Sequence, residues 1–151
     1  MIFVTVGTTS FDQLIEEVDR LVLTEGWNET VVCQIGNGLF LPKNCEYFRF
    51  KPSIDELLSK ADIVITHGGT TVMSLLLSEQ KFIAIANTDL ADNHQYNMLK
   101  KIASVKDILW SDDVKQLSSL VSEVRNKSIQ RHSRNSLDML VKDISNYISQ
   151  D

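Results

Sequence analysis

Apolar and polar positions alternate along this chain in two kinds of segment. Short apolar, often β-branched runs predict buried strands, and segments with apolar residues every three or four positions predict amphipathic helices. The predicted strands cover residues 2–6, 30–34, 47–50, 62–66, 81–86 and 108–110, and helices are predicted to begin near residues 10, 52, 70, 95 and 114. Strands that alternate with helices form parallel sheets with right-handed crossovers. We therefore expect one α/β domain over residues 1–151, with helices flanking a parallel sheet.

Two predicted strands run directly into glycine turns that open a helix. Gly7 follows the first strand, and Gly68 and Gly69 come just after the strand that leads to His67. Because the carboxyl ends of parallel strands meet at one edge of a sheet, both turns should lie together with the polar loop at 87–95.

Each of these turns is typical of an anion site. Backbone N–H groups and the positive end of a helix dipole meet there, and glycine lets a ligand approach the backbone closely. Neighbouring hydroxyl groups add neutral donors, from Thr8, Thr9, Ser10, Thr70 and Thr71. A single Gly-Gly turn often does no more than reverse the chain, but two turns of the same construction suit a diphosphate.

Several nucleotide-binding motifs are absent from the sequence. It has no Gly-x-x-x-x-Gly-Lys-Ser/Thr loop, which excludes a P-loop NTPase, and no Gly-x-Gly-x-x-Gly after the first strand, which disfavours dinucleotides. It also lacks an Asp-x-Asp pair that could hold a metal on a diphosphate. We therefore expect no metal and no cofactor, with the helix N-termini taking the place of a cation.

Sugar-binding groups follow at a third position. Asp92, Asn93, His94 and Gln95 offer a carboxylate, amides and an imidazole, which bind sugar hydroxyls well. Simpler interpretations remain open, because Asp92 and Asn93 could cap a helix and His67 could be a hydrogen-bonded core histidine. A ligand with both phosphate and sugar accounts for all three turns, and this favours a nucleotide sugar.

Composition and charge limit the binding partners and the cellular compartment that the sequence is compatible with. The net charge of −5 and the pI of about 5.2 argue against nucleic acid as a partner. Cys33 and Cys45 lack metal-ligand spacing and are predicted to be free thiols in a reducing compartment. Neither a signal peptide nor an apolar run of the ~20 residues needed to span a bilayer is found. These features predict a cytoplasmic protein.

Two helices carry signals beyond their periodicity. Ser10 and Gln13 have the spacing of a capping box, so Ser10 is predicted to cap the first helix. The last helix, predicted over about 125–149, has one apolar stripe, formed by Leu137, Leu140, Val141, Ile144 and Ile148. Such a stripe packs either on its own domain or on a partner chain, and it is the natural element for docking a partner.

Motifs in register along residues 1–110 resemble a known family. They are FVTVGTT at 3–9 with Phe11 and Asp12, QIG at 34–36, ADIVITHGG at 61–69 and DNHQ at 92–95. The chain resembles the carboxyl-terminal, donor-binding domain of glycosyltransferase family 28. It looks like the free-standing, PssE-type subunits of bacterial exopolysaccharide and capsule glycosyltransferases, which are similar to the small subunit of the eukaryotic two-chain UDP-N-acetylglucosamine transferase.

The resemblance implies a fold and a function. The fold is a Rossmann-like parallel sheet equivalent to the carboxyl-terminal half of a GT-B glycosyltransferase, followed here by the amphipathic terminal helix. The function is donor binding in a two-component inverting UDP-sugar hexosyltransferase. A membrane-anchored partner subunit would bind a lipid-linked saccharide acceptor and supply the catalytic base, so this chain would lie peripherally at the inner face of the membrane.

The resemblance also assigns roles to residues. The diphosphate of the donor would face the two glycine turns, that is Gly7, Thr8, Thr9, His67, Gly68, Gly69 and Thr70. The donor sugar would lie near Asp92, Asn93, His94 and Gln95, and the uracil near Phe50 and Ile54. The sequence departs from the family pattern at Thr71, where a further glycine is usual, at Leu75, where a ribose-binding glutamate is usual, and at residues 80–82. These departures imply weaker donor affinity or an altered choice of nucleotide.

A different class of function is also compatible with the sequence. The chain could be a non-catalytic enhancer that stabilises a partner glycosyltransferase able to do the chemistry alone. The absence of the ribose-binding glutamate at Leu75 favours this alternative, and binding of a UDP-sugar by the isolated chain discriminates between the two.

Overall fold

A computed structural model describes residues 1–88 and 94–126. The strands are β1 (Ile2–Thr5), β2 (Val31–Gln34), β3 (Glu46–Phe48), β4 (Ile63–His67), β5 (Phe82–Ile85) and β6 (Leu109–Ser111). The helices are α1 (Asp12–Thr24), α2 (Asp55–Lys60), α3 (Thr71–Leu77), α4 (His94–Ala103) and α5 (Leu117–Asn126). Two predictions concern residues outside this description. They are the roles of Asp92 and Asn93 and the terminal helix beyond residue 126.

The strands form one parallel sheet in the order β3-β2-β1-β4-β5-β6. This is the doubly wound Rossmann order, and it confirms the predicted α/β fold. The chain moves outward from β1 in one direction and from β4 in the other. The connection that follows β1 and the connection that follows β4 therefore lead to opposite sides, and a crevice opens between them at the carboxyl ends of these two strands.

Alternate residues of the strands pack into separate cores on the two faces of the sheet. Ile2 and Val4 of β1 face α1 and α5, whereas Phe3 faces α3 and α4. All four residues of β1 and all five of β4 are buried. This burial on both faces explains why the sequence shows continuous apolar runs instead of alternation.

The structure corrects the predicted start of the first helix. Phe11, not Ser10, occupies the cap position of α1, and no side chain caps it. Phe11 is buried in the core, and its carbonyl accepts the N–H groups of Leu14 and Ile15. Packing of the aromatic ring has therefore decided where the helix begins, and the capping box is not formed.

Two further predictions can be compared with the structure. The helix predicted from residue 114 begins as a 3-10 turn over Val114–Gln116, which the Asp113 side chain caps by accepting the N–H of Lys115. Cys33 and Cys45 are free thiols, as predicted. Among the described residues, no helix has the length and apolar character needed to cross a membrane.

Candidate functional site

The two glycine turns lie side by side at the centre of the sheet. Thr5 of β1 and Thr66 of β4 are register partners, so the turn at Gly7 adjoins the turn that begins after His67. The predicted meeting of these two turns is thus present, at the crevice between β1 and β4.

Buried threonines connect the two turns from below. The Thr66 hydroxyl donates to the Thr5 carbonyl at 3.0 Å, and the Thr5 hydroxyl donates to Gln34 Oε1 at 2.6 Å. The Thr5 hydroxyl also accepts the Gly7 N–H at 3.1 Å. This network was not predicted from the sequence, although polar residues near the ends of otherwise apolar strands were a usable signal.

The first turn presents unused backbone donors. Gly7 has a φ of +64°, which favours glycine, and the Thr9 hydroxyl donates to the Val6 carbonyl at 2.9 Å to close the turn. Within the part of the chain that the structure describes, the N–H groups of Thr8, Thr9 and Ser10 have no hydrogen-bond acceptor. All three residues are exposed, so these N–H groups are available to an anion.

The loop after β2 supports this first turn. Asn37 N–H donates to the Thr9 carbonyl at 3.1 Å, and a Cβ on Gly36 would lie only 2.0 Å from that same oxygen. Arg49 Nη1 donates to the carbonyls of Gly36 and Gly38, at 3.0 and 2.7 Å. Arg49 was not identified from the sequence, because nothing in its spacing links it to the glycine turns.

The second turn uses one N–H internally and leaves others available. Gly68 N–H donates to Gln95 Oε1 at 3.1 Å. Among residues 1–88 and 94–126, no acceptor is found for the N–H groups of Gly69 and Thr70. Because α3 has only seven residues, its dipole is smaller than that of the longer helix predicted from the sequence, and the N–H groups themselves would contribute most to binding an anion.

His67 lies between the turns. It is only 8% exposed, and its Nδ1 is 2.9 Å from Gln95 Nε2. A Cβ on Gly69 would come within 2.5 Å of His67 Cε1, and a Cβ on Gly7 within 3.5 Å of Nε2. Burial lowers the pKa of His67, and the hydrogen bond to Gln95 partly opposes that shift. The ring is therefore neutral near pH 7.

These groups together make a candidate site for an anion. Both turns carry backbone N–H groups without an acceptor among the described residues. That part of the chain holds no cluster of three His, Cys, Asp or Glu side chains that could bind a metal ion. Converging N–H groups are a common means of binding phosphate.

Comparison with known proteins now identifies the family. The model of the "Glycosyltransferase family 28 C-terminal domain" matches residues 1–147. The chain belongs to this family. Mouse and human "UDP-N-acetylglucosamine transferase subunit ALG13" are 35% and 36% identical to it, over 66% and 67% of this chain. The match covers only 10% of the length of each of these curated relatives.

Solved structures agree with this assignment at the level of the fold. An NMR structure of ALG13 superposes with a TM-score of 0.61 and 17% identity, over 95% of this chain and 96% of that one. The MurG structure from Acinetobacter baumannii gives 0.64 and 16%, over 96% of this chain and 49% of MurG. The family 28 chain therefore corresponds to one half of a GT-B glycosyltransferase.

The other predicted site residues of this family 28 domain lie at varied depths. His94 is half-buried at the first position of α4, and Gln95 is buried with its amide bonded beneath the second turn. Phe50 is 52% exposed beyond the carboxyl end of β3, whereas Ile54 packs against the core. Roles for these residues toward a donor stay predictions.

Leu75 shows the consequence of one departure from the family pattern. Its side chain is 1% exposed and packs in the core between α3 and the sheet. The side chain of Leu75 therefore offers no polar atom to a ligand.

Proposed function

We propose that this chain is the donor-binding subunit of a two-chain, inverting UDP-sugar glycosyltransferase. The observation that supports this most strongly is that two turns with unused N–H groups adjoin each other beside His67, at the crevice between β1 and β4. Membership of family 28 supports a glycosyl donor as the source of the phosphate groups.

The proposed site would act on the leaving group. As the glycosidic bond to the diphosphate breaks, negative charge develops on the departing UDP. Among the described residues, the N–H groups of Thr8, Thr9, Gly69 and Thr70 have no acceptor in the protein. In this proposal they donate to the departing diphosphate and stabilise its charge without a metal. His67 joins them as a neutral donor, while Gly7 and Gly68 provide the close approach.

The rest of the donor would extend along the same sheet edge. His94, with Asp92 and Asn93, would bind the sugar, and the exposed ring of Phe50 would contact the uracil, with Ile54 behind it. The names of the mouse and human relatives make UDP-N-acetylglucosamine the first donor to test. In this proposal no cofactor takes part.

A partner chain completes the enzyme. An acceptor hydroxyl must be deprotonated and held in line with the sugar, and one half of a GT-B cleft cannot position both substrates. We therefore propose a membrane-anchored partner that binds a lipid-linked saccharide and supplies the base. The chain would work at the inner membrane face in exopolysaccharide or capsule synthesis, as a PssE-type subunit.

The test is transferase activity on a lipid-linked acceptor, with the chain alone, with membranes containing the co-expressed partner, and with both. We expect sugar transfer only with both. Gly69→Trp should abolish that transfer, because any Cβ at Gly69 meets His67. Full activity from the partner alone would refute the donor-subunit proposal.

The burial of Leu75 favours one alternative, a non-catalytic enhancer of the partner. Such a subunit stabilises its partner without needing a donor. Titration of the isolated chain with UDP, followed by amide NMR shifts, separates the two functions. Shifts at Thr8, Thr9, Gly69 and Thr70 support donor binding, and unchanged spectra at millimolar UDP support the enhancer.

A further inference from the structure

The side-chain amide of Gln95 has an orientation that its neighbours determine. One end of the amide receives two backbone N–H groups, from Gly68 at 3.1 Å and from Asn87 at 2.9 Å. A backbone N–H can only donate, so that end must be the oxygen, and the other end must be the NH₂ group. The NH₂ group is 2.9 Å from His67 Nδ1.

This orientation determines the position of the histidine proton. An amide NH₂ group donates and cannot accept, so Nδ1 of His67 must accept and carries no proton. In a neutral imidazole the single proton then lies on Nε2. Burial disfavours a second proton, and no charged side chain among the described residues contributes to the pKa of His67.

The Nε2 atom faces the gap between the glycine turns. It would lie 2.8 Å from a Cβ on Gly69 and 3.5 Å from a Cβ on Gly7, so glycine at these two positions leaves space around it. Within the described ranges, Nε2 has no protein acceptor. Like the unused backbone donors of the two turns, its N–H is therefore available to the proposed diphosphate.

We propose that Gln95 is a positioning residue that fixes His67 as the Nε2–H tautomer, so that the ring donates a hydrogen bond to the ligand's phosphate oxygen. The opposite tautomer would direct a lone pair at that oxygen and repel it. Gln95 achieves this through contacts with both adjoining loops, at Gly68 and Asn87, which also hold it in one rotamer. The identity of the phosphate rests on the proposed function, whereas the tautomer does not.

Nitrogen NMR of the 151-residue chain without ligand tests the tautomer directly. Long-range ¹H–¹⁵N spectra near neutral pH distinguish the protonated ring nitrogen from the bare one, and His67→Gln assigns the signals among the three histidines of the sequence. We expect bare Nδ1 and protonated Nε2 for His67. Protonated Nδ1, or an averaged mixture of the two forms, would overturn the proposal.

Gln95→Glu tests the function of the tautomer. A carboxylate still accepts from Gly68 and Asn87, but its second oxygen requires a proton on Nδ1, and its charge raises the pKa of the histidine. As the pH rises, the ring becomes neutral by losing the proton on Nε2. Nε2 can then no longer donate a hydrogen bond to the phosphate. We expect UDP affinity of the variant to fall about tenfold between roughly pH 7 and pH 9, while that of the wild type stays constant.

A matched control separates this effect from added charge. Asn97→Asp places the same charge on the exposed face of the same helix, and its UDP affinity should follow the wild type. A Gln95→Glu variant whose affinity is as independent of pH as that of the wild type would mean that Gln95 only supports the fold. If wild-type protein binds no UDP at any pH, the proposed function and the phosphate contact fail, while the nitrogen spectra still decide the tautomer.

Discussion

Gly69 and Gly26 show how the same residue type can serve different needs. At Gly69 the backbone has no positive φ, and glycine is required because a Cβ would lie 2.5 Å from His67 Cε1. At Gly26 the reverse holds, since φ is +62° and nothing lies within 4 Å of a Cβ. Substitution of the first disturbs a neighbour, and substitution of the second strains only its own backbone.

We expect Gly69→Ala to weaken UDP binding about tenfold or more, because the His67 ring must move away from its position between the turns. Gly26→Ala is the control. It should lower the free energy of unfolding by about 1–2 kcal/mol, because alanine is strained at this positive φ, and it should leave UDP affinity unchanged. Calorimetric titration and urea unfolding measure the two quantities, and equal losses of affinity in both variants would contradict this account.

His67 should also make the stability of the protein depend on pH. Its pKa is lower in the folded protein than in the unfolded chain, so the unfolded chain takes up a proton first as the pH falls. The free energy of unfolding should therefore decrease below about pH 6.5, by up to roughly 1.4 kcal/mol for each pH unit.

His67→Gln removes the titrating group and provides the comparison. Urea unfolding should be measured at several pH values between about 7 and 5. As the pH falls, the free energy of unfolding should decrease more for the wild type than for His67→Gln. Parallel curves would mean that the folded protein takes up the proton as readily as the unfolded chain.

For single residues, the sequence allowed us to predict which element or turn a site residue belongs to, but not which other side chains it contacts. It placed His67, Gly68 and Gly69 after a buried strand because strand and turn are local features. It could not predict that Gln95, 28 residues away, bonds to His67, because that contact depends on how α4 rotates over the sheet. Asp92 and Asn93 lie outside the described residues, and their predicted role is unchanged.

At the scale of elements, the long connection between β2 and β3 is held by side chains of α1. Asp19 is buried, and its carboxylate accepts the N–H groups of Lys43 at 3.1 Å and Asn44 at 2.7 Å. Two turns earlier in the helix, Asp12 accepts the N–H groups of Leu39 and Phe40. A loop without a repeating pattern thus obtains a fixed path from one helix.

We expect Asp19→Ala to reduce the free energy of unfolding by roughly 2–3 kcal/mol, since it leaves two backbone N–H groups without their charged acceptor. Glu16→Ala changes an exposed residue of the same helix and should have little effect. Asp19→Asn keeps one acceptor oxygen and should fall between them. Urea unfolding gives all three values, and a loss in Asp19→Ala no larger than in Glu16→Ala would contradict the role of the carboxylate.

The strands and helices with a clear hydrophobic pattern were predicted correctly in type and approximate position. The exact residues at which they begin and end were not. Burial on both faces made β1 and β4 recognisable as apolar runs. The start of α1 was wrong because the burial of Phe11 outweighed the cap preference of Ser10. The connection over residues 35–45 could not be predicted, because the acceptors that fix its path lie on another element.

At the scale of the whole molecule, the site belongs to two halves of one sheet. β1 with its neighbours β2 and β3 supplies the first turn, and β4 with β5 and β6 supplies the second. A ligand that contacts both turns must therefore bind the folded protein far better than the unfolded chain.

UDP should accordingly stabilise the chain against heat. At a concentration a hundred times its Kd, it should add about 2.7 kcal/mol to the free energy of unfolding. Uridine is the control, because it lacks the phosphate groups that the N–H donors would bind. Scanning calorimetry should show a higher Tm with UDP alone, and an equal increase with uridine would contradict a site built around the diphosphate.

The central pairing of β1 with β4 also has a consequence during synthesis. Thr5 and Thr66 are 61 residues apart, so a ribosome adding about 5–20 residues per second needs several seconds between them. Throughout that interval the nascent chain carries β1 with one bare, apolar edge, and such edges pair readily with other chains. Slow translation of the segment between Thr5 and Thr66, or the lack of a chaperone, should thus lower the yield of soluble protein more than the stability of the folded protein suggests.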